Sequence, residues 1–195
     1  MADYRAIAAV TEAVASLLES RYVPGIFGGQ ELEFSVYLAK DFAKPMQAGV
    51  SVFLYRIYAN GTQRAPNGRT GPDGQRYRTQ MPLDLHFLLT AWAQDASLQH
   101  AIAGWMMRVL EDSPIIPAGL LNRWVPDVFH EDESVEIVLA EIETETLFRI
   151  WEVIVHHAYQ ISVPYAARIV RIESSQLQAE TPPVQTRGFD YQKGR

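Results

Sequence analysis

One apolar stretch decides the fold of this chain: VSVFLYRIY, residues 50–58. β-Branched and aromatic residues occupy both alternating positions along it, a pattern typical of a central strand that is covered on both faces. A second long strand is predicted at PLDLHFLLTAW, residues 82–92, where apolar side chains alternate with polar ones. The two strands predict a sheet with a buried middle.

Helical periodicity surrounds these strands. Apolar residues at helical spacing predict an alanine-rich helix over residues 3–20. A second helix is predicted to begin after Asp95, a suitable N-cap, and to end before Pro114. Thr144 is expected to cap a third helix with a strongly amphipathic pattern.

Alternating patterns predict three more strands, over residues 34–38, 135–139 and 161–172. Pro164 cannot donate to a ladder, so the last strand is expected to lie at an edge or to begin near this residue. The proline-bounded segment 114–129 is expected to be irregular. The order of elements predicts an α+β fold in which one mixed or antiparallel sheet of about five strands carries three helices.

Two segments fall outside this regular pattern. Residues 59–80 contain three Gly- or Pro-containing turn sequences and predict a long mobile loop or a loose hairpin. Residues 174–195 are polar and aperiodic, which predicts an extended tail after a single domain over residues 1–173. A body of this size can bury a sizeable core without crosslinks.

Composition excludes several classes of function. The 195 residues contain no cysteine, so disulfides, thiol nucleophiles and Cys-based metal sites are excluded. A net charge of −6 argues against a general nucleic-acid binder, and no apolar run is long enough to span a membrane. The first residues do not resemble a signal peptide, so we expect the chain to fold in the cytoplasm.

No catalytic or cofactor-binding motif is present in the sequence, and we expect no enzyme activity, metal or cofactor. One arrangement keeps an alternative open. Asp84 and His86 lie two residues apart on a predicted strand, so their side chains share a face, an arrangement compatible with a small enzyme or ligand-binding domain. No nucleophile accompanies the pair, which favours a structural role.

Charge is segregated along the chain. Residues 56–78 contain five arginines and one aspartate, whereas residues 127–152 contain nine carboxylates and one arginine. The two regions are either solvated surfaces that happen to differ in sign or complementary patches on neighbouring copies. The candidate contact residues are Arg64, Arg69, Arg76 and Arg78 on the basic side, and Glu131, Asp132 and Glu133 on the acidic side.

Tryptophan adds one more candidate contact residue. Trp124 lies between prolines in the segment expected to be irregular, rather than on the apolar face of a helix. Buried aromatic anchors dominate many protein interfaces. We therefore expect Trp124 to serve as an interface anchor.

Several stretches in a fixed order carry a family resemblance. VSVFLYRIYAN, PLDLHFLLTAW, LEDSPIIP, IVLAEIETETLFRIWEVI and YQISVPYAARIVRI follow one another over nearly all of residues 1–173. Together they resemble the N-terminal domain of the cap proteins of extracellular contractile injection systems, of the virulence-cassette and antifeeding-prophage type.

The resemblance implies a tail terminator without a cofactor. Such a protein forms a hexameric ring that ends the inner tube and the sheath, so the implied partners are further copies of the chain and the tube and sheath proteins. It assembles in the cytoplasm and then belongs to a particle that is released. The alternative within the same class is another ring-forming joining protein of a phage-like tail.

Overall fold

A computed structural model describes residues 2–64, 68–71, 73–154 and 159–178. Its elements in chain order are α1 (Ala6–Arg21), β1 (Glu33–Val36), β2 (Gly49–Ala59), β3 (Arg69–Thr70), β4 (Arg76–Tyr77), β5 (Met81–Trp92), α2 (Ala96–Asp112), β6 (Ile115–Pro117), α3 (Ala118–Leu121), β7 (Ser134–Leu139), α4 (Thr144–Ile154) and β8 (Ser162–Ile172). Three 3₁₀ turns occupy Pro24–Phe27, Ala39–Ala43 and Gly61–Gln63.

The described strands form one mixed sheet of six, in the order β1-β2-β5-β8-β7-β6, and a separate β3–β4 hairpin. β1 pairs with β2 in parallel, and all other neighbours are antiparallel. The predicted α+β class and its mixed sheet are confirmed. The five predicted strands and three predicted helices are all present, close to their expected bounds.

The predicted element count was slightly too low. The segment expected to be irregular contains the three-residue strand β6 and the short helix α3. Ile116 and Leu121 are fully buried there. Packing against neighbouring elements therefore orders this segment, although its prolines predicted irregular structure. Residues 59–80 contain the β3–β4 hairpin, which was one of the two structures expected.

β8 is an interior strand between β5 and β7, so the predicted edge position is wrong. The alternative prediction, that the strand begins near Pro164, is right. Pro164 is the third residue of β8 and accepts a hydrogen bond from Ala140 N–H (3.0 Å). The proline nitrogen therefore faces the β7 side just beyond Leu139, where the β7–β8 ladder has ended. The missing N–H costs no ladder bond.

Helix α1 is the centre of the fold. Every residue from 13 to 18 is buried, which is more than one full turn, so this part of the helix is covered on all sides, whereas Ala8 and Glu19 lie at the surface. It contacts β1, β2 and β8 on the sheet and packs against α2 and α3. Ala6, Ala9 and Ala13 have no exposed surface, and their small side chains allow the sheet to curl closely around the helix.

The opposite face of the sheet carries a smaller core. Tyr37, Phe42, Leu88, Trp92 and Trp151 pack together there, joining the Ala39–Ala43 turn and α4 to the sheet. Side chains on β5 alternate between the two cores, as the period of a strand requires. Helices therefore cover both faces, and α4 lies opposite the other three.

The close fit around α1 predicts a steric test. Ala9→Leu adds volume where the neighbours of α1 leave no space, and it is expected to lower the free energy of unfolding by about 1–3 kcal/mol. Ala8 on the same helix is exposed, so Ala8→Leu serves as the matched control and is expected to change stability by less than about 0.5 kcal/mol. Thermal unfolding followed by circular dichroism measures both, and equal midpoints would contradict the close packing.

Candidate functional site

The charged candidate residues meet at one end of the sheet, which we call the hairpin end. β2 ends there at Ala59, β5 begins there at Met81 and β8 ends there at Ile172. β7 also begins there, at Ser134, directly after the acidic residues 131–133. The hairpin arginines and the acidic residues 131–133, which are far apart in sequence, thus lie at the same end of the sheet.

We call residues 61–78 the basic hairpin, and a turn organises its described residues 73–77. The Tyr77 hydroxyl donates to Asp73 Oδ2 (2.6 Å) and Gln75 N–H donates to Asp73 Oδ1 (3.1 Å). The hydrogen bond from Tyr77 is the main cause of a lowered pKa of Asp73. Gly74 has φ 76°, a conformation that glycine adopts without strain.

The chain returns to this hairpin after β8. Arg78 N–H donates to the Gln176 carbonyl (2.9 Å) and Gln178 N–H donates to the Arg76 carbonyl (2.8 Å), while Tyr77 and Leu177 form an antiparallel bridge. Residues 176–178 thus lie beside β4 like a third strand. The expected tail begins in contact with the basic hairpin, and residues 179–195 lie outside the described part of the chain.

Glu173 fastens the hairpin to the body. Its carboxylate forms an ion pair with Arg69 (Nη2 to Oε2, 2.5 Å) and accepts a hydrogen bond from Gln80 Nε2 (2.7 Å). The side chains of Arg69 and Glu173 are only 17% and 9% exposed, and Glu173 N–H donates to the Ala2 carbonyl (2.8 Å). Among the predicted contact residues, Arg69 therefore has a structural role within the chain.

The other predicted arginines remain at the surface. Arg64, Arg76 and Arg78 are exposed, as Glu131 and Asp132 are on the acidic side. Glu133 is half-buried because its carboxylate accepts from His130 N–H (2.7 Å) and closes the turn. We call residues 130–133 the acidic turn.

Trp124 lies away from the hairpin arginines, beside α1. It is 61% exposed, yet its indole N–H donates to Ser16 Oγ (2.9 Å), which holds the ring in one orientation. A nearby groove of about 700 Å³ between α1, α2 and β6 is lined by Leu17, Ile115 and Leu120 among others. An exposed aromatic side chain held in place suits an interface anchor.

Asp84 stabilises an irregularity in the sheet. Its Oδ1 accepts from Ile169 N–H (2.9 Å) and its Oδ2 accepts from Asn60 Nδ2 (3.0 Å). The β5–β8 register shifts here, and Ile169 has φ 57°, which is rare for a β-branched residue. Both carboxylate oxygens are thus engaged in holding the backbone.

His86 makes edge-to-face contacts with two tyrosine rings rather than a hydrogen bond to Asp84. Tyr58 lies 4.8 Å and Tyr55 6.1 Å from its ring centroid. Burial is the main cause of a lowered pKa of His86, and the Asp84 charge opposes that shift. Within the described residues no group of three or more His, Asp or Glu is arranged to hold a metal ion, and no helix is long and apolar enough to cross a membrane.

Sequence patterns did not single out three charged residues whose positions the structure makes informative. Glu173 follows the last strand as an isolated acid, and Arg168 occupies an ordinary outward position on β8. Arg56 belonged to the basic region but was not distinguished from the hairpin arginines. Their significance depends on strand pairing, which no local pattern reveals.

The Glu173 contacts predict a measurable opening of the hairpin. Glu173→Ala leaves Arg69 and Gln80 without their acceptor, and we expect trypsin to cleave after Arg76 and Arg78 roughly thirtyfold faster, corresponding to about 2 kcal/mol of local stability. Glu111→Ala, which removes an exposed carboxylate on α2, is the control. Unchanged cleavage of the Glu173 variant would contradict the fastening role.

The Asp84 contacts predict a loss of stability. Asp84→Ala leaves two donors without an acceptor and is expected to lower the free energy of unfolding by about 2 kcal/mol. Glu136→Ala on neighbouring β7 removes an exposed carboxylate and is expected to change it by less than about 0.5 kcal/mol. Denaturant titration compares the two variants, and equal losses would refute the specific role of Asp84.

A family model described as the Pvc16 N-terminal domain matches residues 9–186. Two solved structures are similar in fold. A sheath/tube terminator of an extracellular contractile injection system of the PVC type, in the extended state, has a TM-score of 0.62 at 16% identity over 96% of this chain. The tube terminating cap of the anti-feeding prophage has a TM-score of 0.60 at 15% identity over 93% of this chain.

The present chain spans 63% and 60% of the lengths of those two proteins. No protein of curated function matches the sequence.

Proposed function

Because the chain belongs to the family of Pvc16 N-terminal domains, we propose that it is a terminator cap, which ends the tube and sheath of a contractile injection particle. The observation that carries this proposal is the fold match over 96% of the chain to a protein described as a sheath/tube terminator. The second match, to a tube terminating cap, supports the same role over the joining-protein alternative. The role is structural, without catalysis or a cofactor.

The cap acts as a ring, with six copies as the expected number, in contact with tube and sheath proteins. Ring closure needs two different surfaces on each copy, one of which binds the other on its neighbour. Two oppositely charged surfaces on each copy would supply such a pair, since electrostatic complementarity fixes the register of an interface. The cap assembles in the cytoplasm and leaves as part of the particle.

The basic hairpin is the proposed contact with the tube. Arg64, Arg76 and Arg78 are exposed at its surface, and the Asp73 turn and the Glu173 ion pair hold it in place. Trp124 and the groove beside it provide a separate apolar surface for the sheath. With the proposed domain boundary near residue 173, residues 174–195 would serve as an attachment tail, of which residues 176–178 run beside β4.

The decisive experiment mixes the purified protein with tube and sheath proteins and follows mass in solution and electron micrographs. We expect rings at one end of the tubes and a narrow distribution of particle length. A stable monomer that binds neither protein would refute the proposal.

The hairpin contact has its own test in the same assay. Arg64→Ser, Arg76→Ser and Arg78→Ser together are expected to weaken capping of the tube at least tenfold, because three charged contacts are lost. Arg69 is left unchanged since it stabilises the fold. Lys40→Ser with Lys44→Ser removes exposed charges distant from the hairpin and is expected to leave capping intact.

A further inference from the structure

The sheet face that carries α4 is covered at one end only. α4 and the Ala39–Ala43 turn pack over Leu88 and Trp92, far from the hairpin end. Towards the hairpin end a hollow of about 380 Å³ opens over β5, β7 and β8. Its lining includes Asp84, His86, Val138, Ala166 and Arg168.

Arg56, Tyr58 and His86 form a cluster of cation–π and edge-to-face contacts that borders this hollow. The Arg56 guanidinium lies 4.1 Å from the Tyr58 ring centroid, and the Tyr58 ring lies 4.8 Å from that of His86. Stacking orients the guanidinium while its N–H edges stay available for a carboxylate. Ala166 pairs with His86 on the neighbouring strand, and its small side chain leaves the space that forms the hollow. We call this surface, with Arg168, the Arg56–Arg168 patch.

Both arginines of the patch are exposed, and neither forms an ion pair within 4.0 Å in the part of the chain that the structure describes. Asp84 is engaged by Asn60 and Ile169. Glu136 lies opposite Arg168 on β7 but beyond ion-pair distance. The patch therefore presents two exposed arginines, of which Arg56 is held against Tyr58, and Arg and Tyr are side chains that dominate interface cores.

We propose that the Arg56–Arg168 patch binds the acidic turn of a second copy of this chain, through Glu131 and Asp132. Two strand spacings and a two-residue offset separate Arg56 from Arg168 by about 12 Å, a gap that two adjacent carboxylates can bridge between long arginine side chains. Within one chain the acidic turn lies beside Val170 and Arg171 instead, so it does not cover the patch.

The contact is heterologous, because the patch of one copy binds the acidic turn of the next. The acidic turn of the first copy and the patch of the second stay open to bind further copies. This inference rests on the proposed ring and names the surfaces that close it. It differs from the tube contact, which uses the hairpin arginines.

Charge reversal tests the contact by native mass spectrometry and light scattering of the full chain. Arg56→Glu with Arg168→Glu is expected to dissociate the ring, with at least a hundredfold rise in the dissociation constant, and Glu131→Arg with Asp132→Arg is expected to do the same. A mixture of the two double variants is expected to restore an alternating ring, and so is the quadruple variant on its own. Lys40→Glu with Lys44→Glu makes the same change in charge elsewhere and is expected to leave the ring intact.

The outcomes separate this inference from the proposed function. If the unaltered chain forms rings and caps tubes but the Arg56/Arg168 double variant still forms rings, the inference is wrong and the capping role stands. Dissociation that neither the mixture nor the quadruple variant reverses also overturns it. If the unaltered chain forms no ring and binds neither tube nor sheath, the proposed function fails first. Circular dichroism confirms that every variant is folded.

Discussion

The burial of residues 13–18 of α1 on all sides is the constraint on which the rest of the structure depends. A helix whose residues 13–18 are all inaccessible must be enclosed, and one flat sheet cannot enclose it. Alanines at the tightest points let the strands approach, so the sheet curls around α1 while α2 and α3 close the remaining sides. Because that face of the sheet is fully occupied, the surfaces available to partners are the opposite face, the hairpin end and the α1–β6 groove.

Carboxylates at the hairpin end are used internally, and this determines what the surface presents. Asp73 closes the hairpin turn, Asp84 supports the irregular stretch of β8 and Glu173 pairs with Arg69. Asp73 and Asp84 are thus occupied, and Arg76, Arg78 and Arg168 form no ion pair within 4.0 Å in the part of the chain that the structure describes. A protein with a net charge of −6 thus presents a basic surface at one end, next to an exposed acidic turn. Such a division of charge favours head-to-tail assembly over aggregation of identical surfaces.

Elements with long, regular patterns were predictable. Residues 50–58 and 82–92 carry β-branched, aromatic and alternating apolar side chains that favour strands, and Asp95 caps its helix through Leu98 N–H as expected. β6 and α3 were not predictable, because three- and four-residue elements have too few residues to establish a period and are ordered by neighbours distant in sequence. The edge position predicted for β8 was wrong for a related reason. A proline removes the ladder hydrogen bond to one neighbouring strand only, and the sequence does not show whether a strand is paired at that position.

The sequence by itself determined the α+β class, the bounds of the long elements, the segregation of charge and the family, because each depends on residue types at short, regular spacing. Only the tertiary structure decided that Arg69 is an internal ion-pair partner, that Asp84 supports the backbone of β8 and that Arg56 and Arg168 lie on one open face. These roles come from strand order and register, which bring together residues separated by as many as 112 positions. Pairing of that kind is selected by the packing of the whole chain around α1, so no local pattern specifies it.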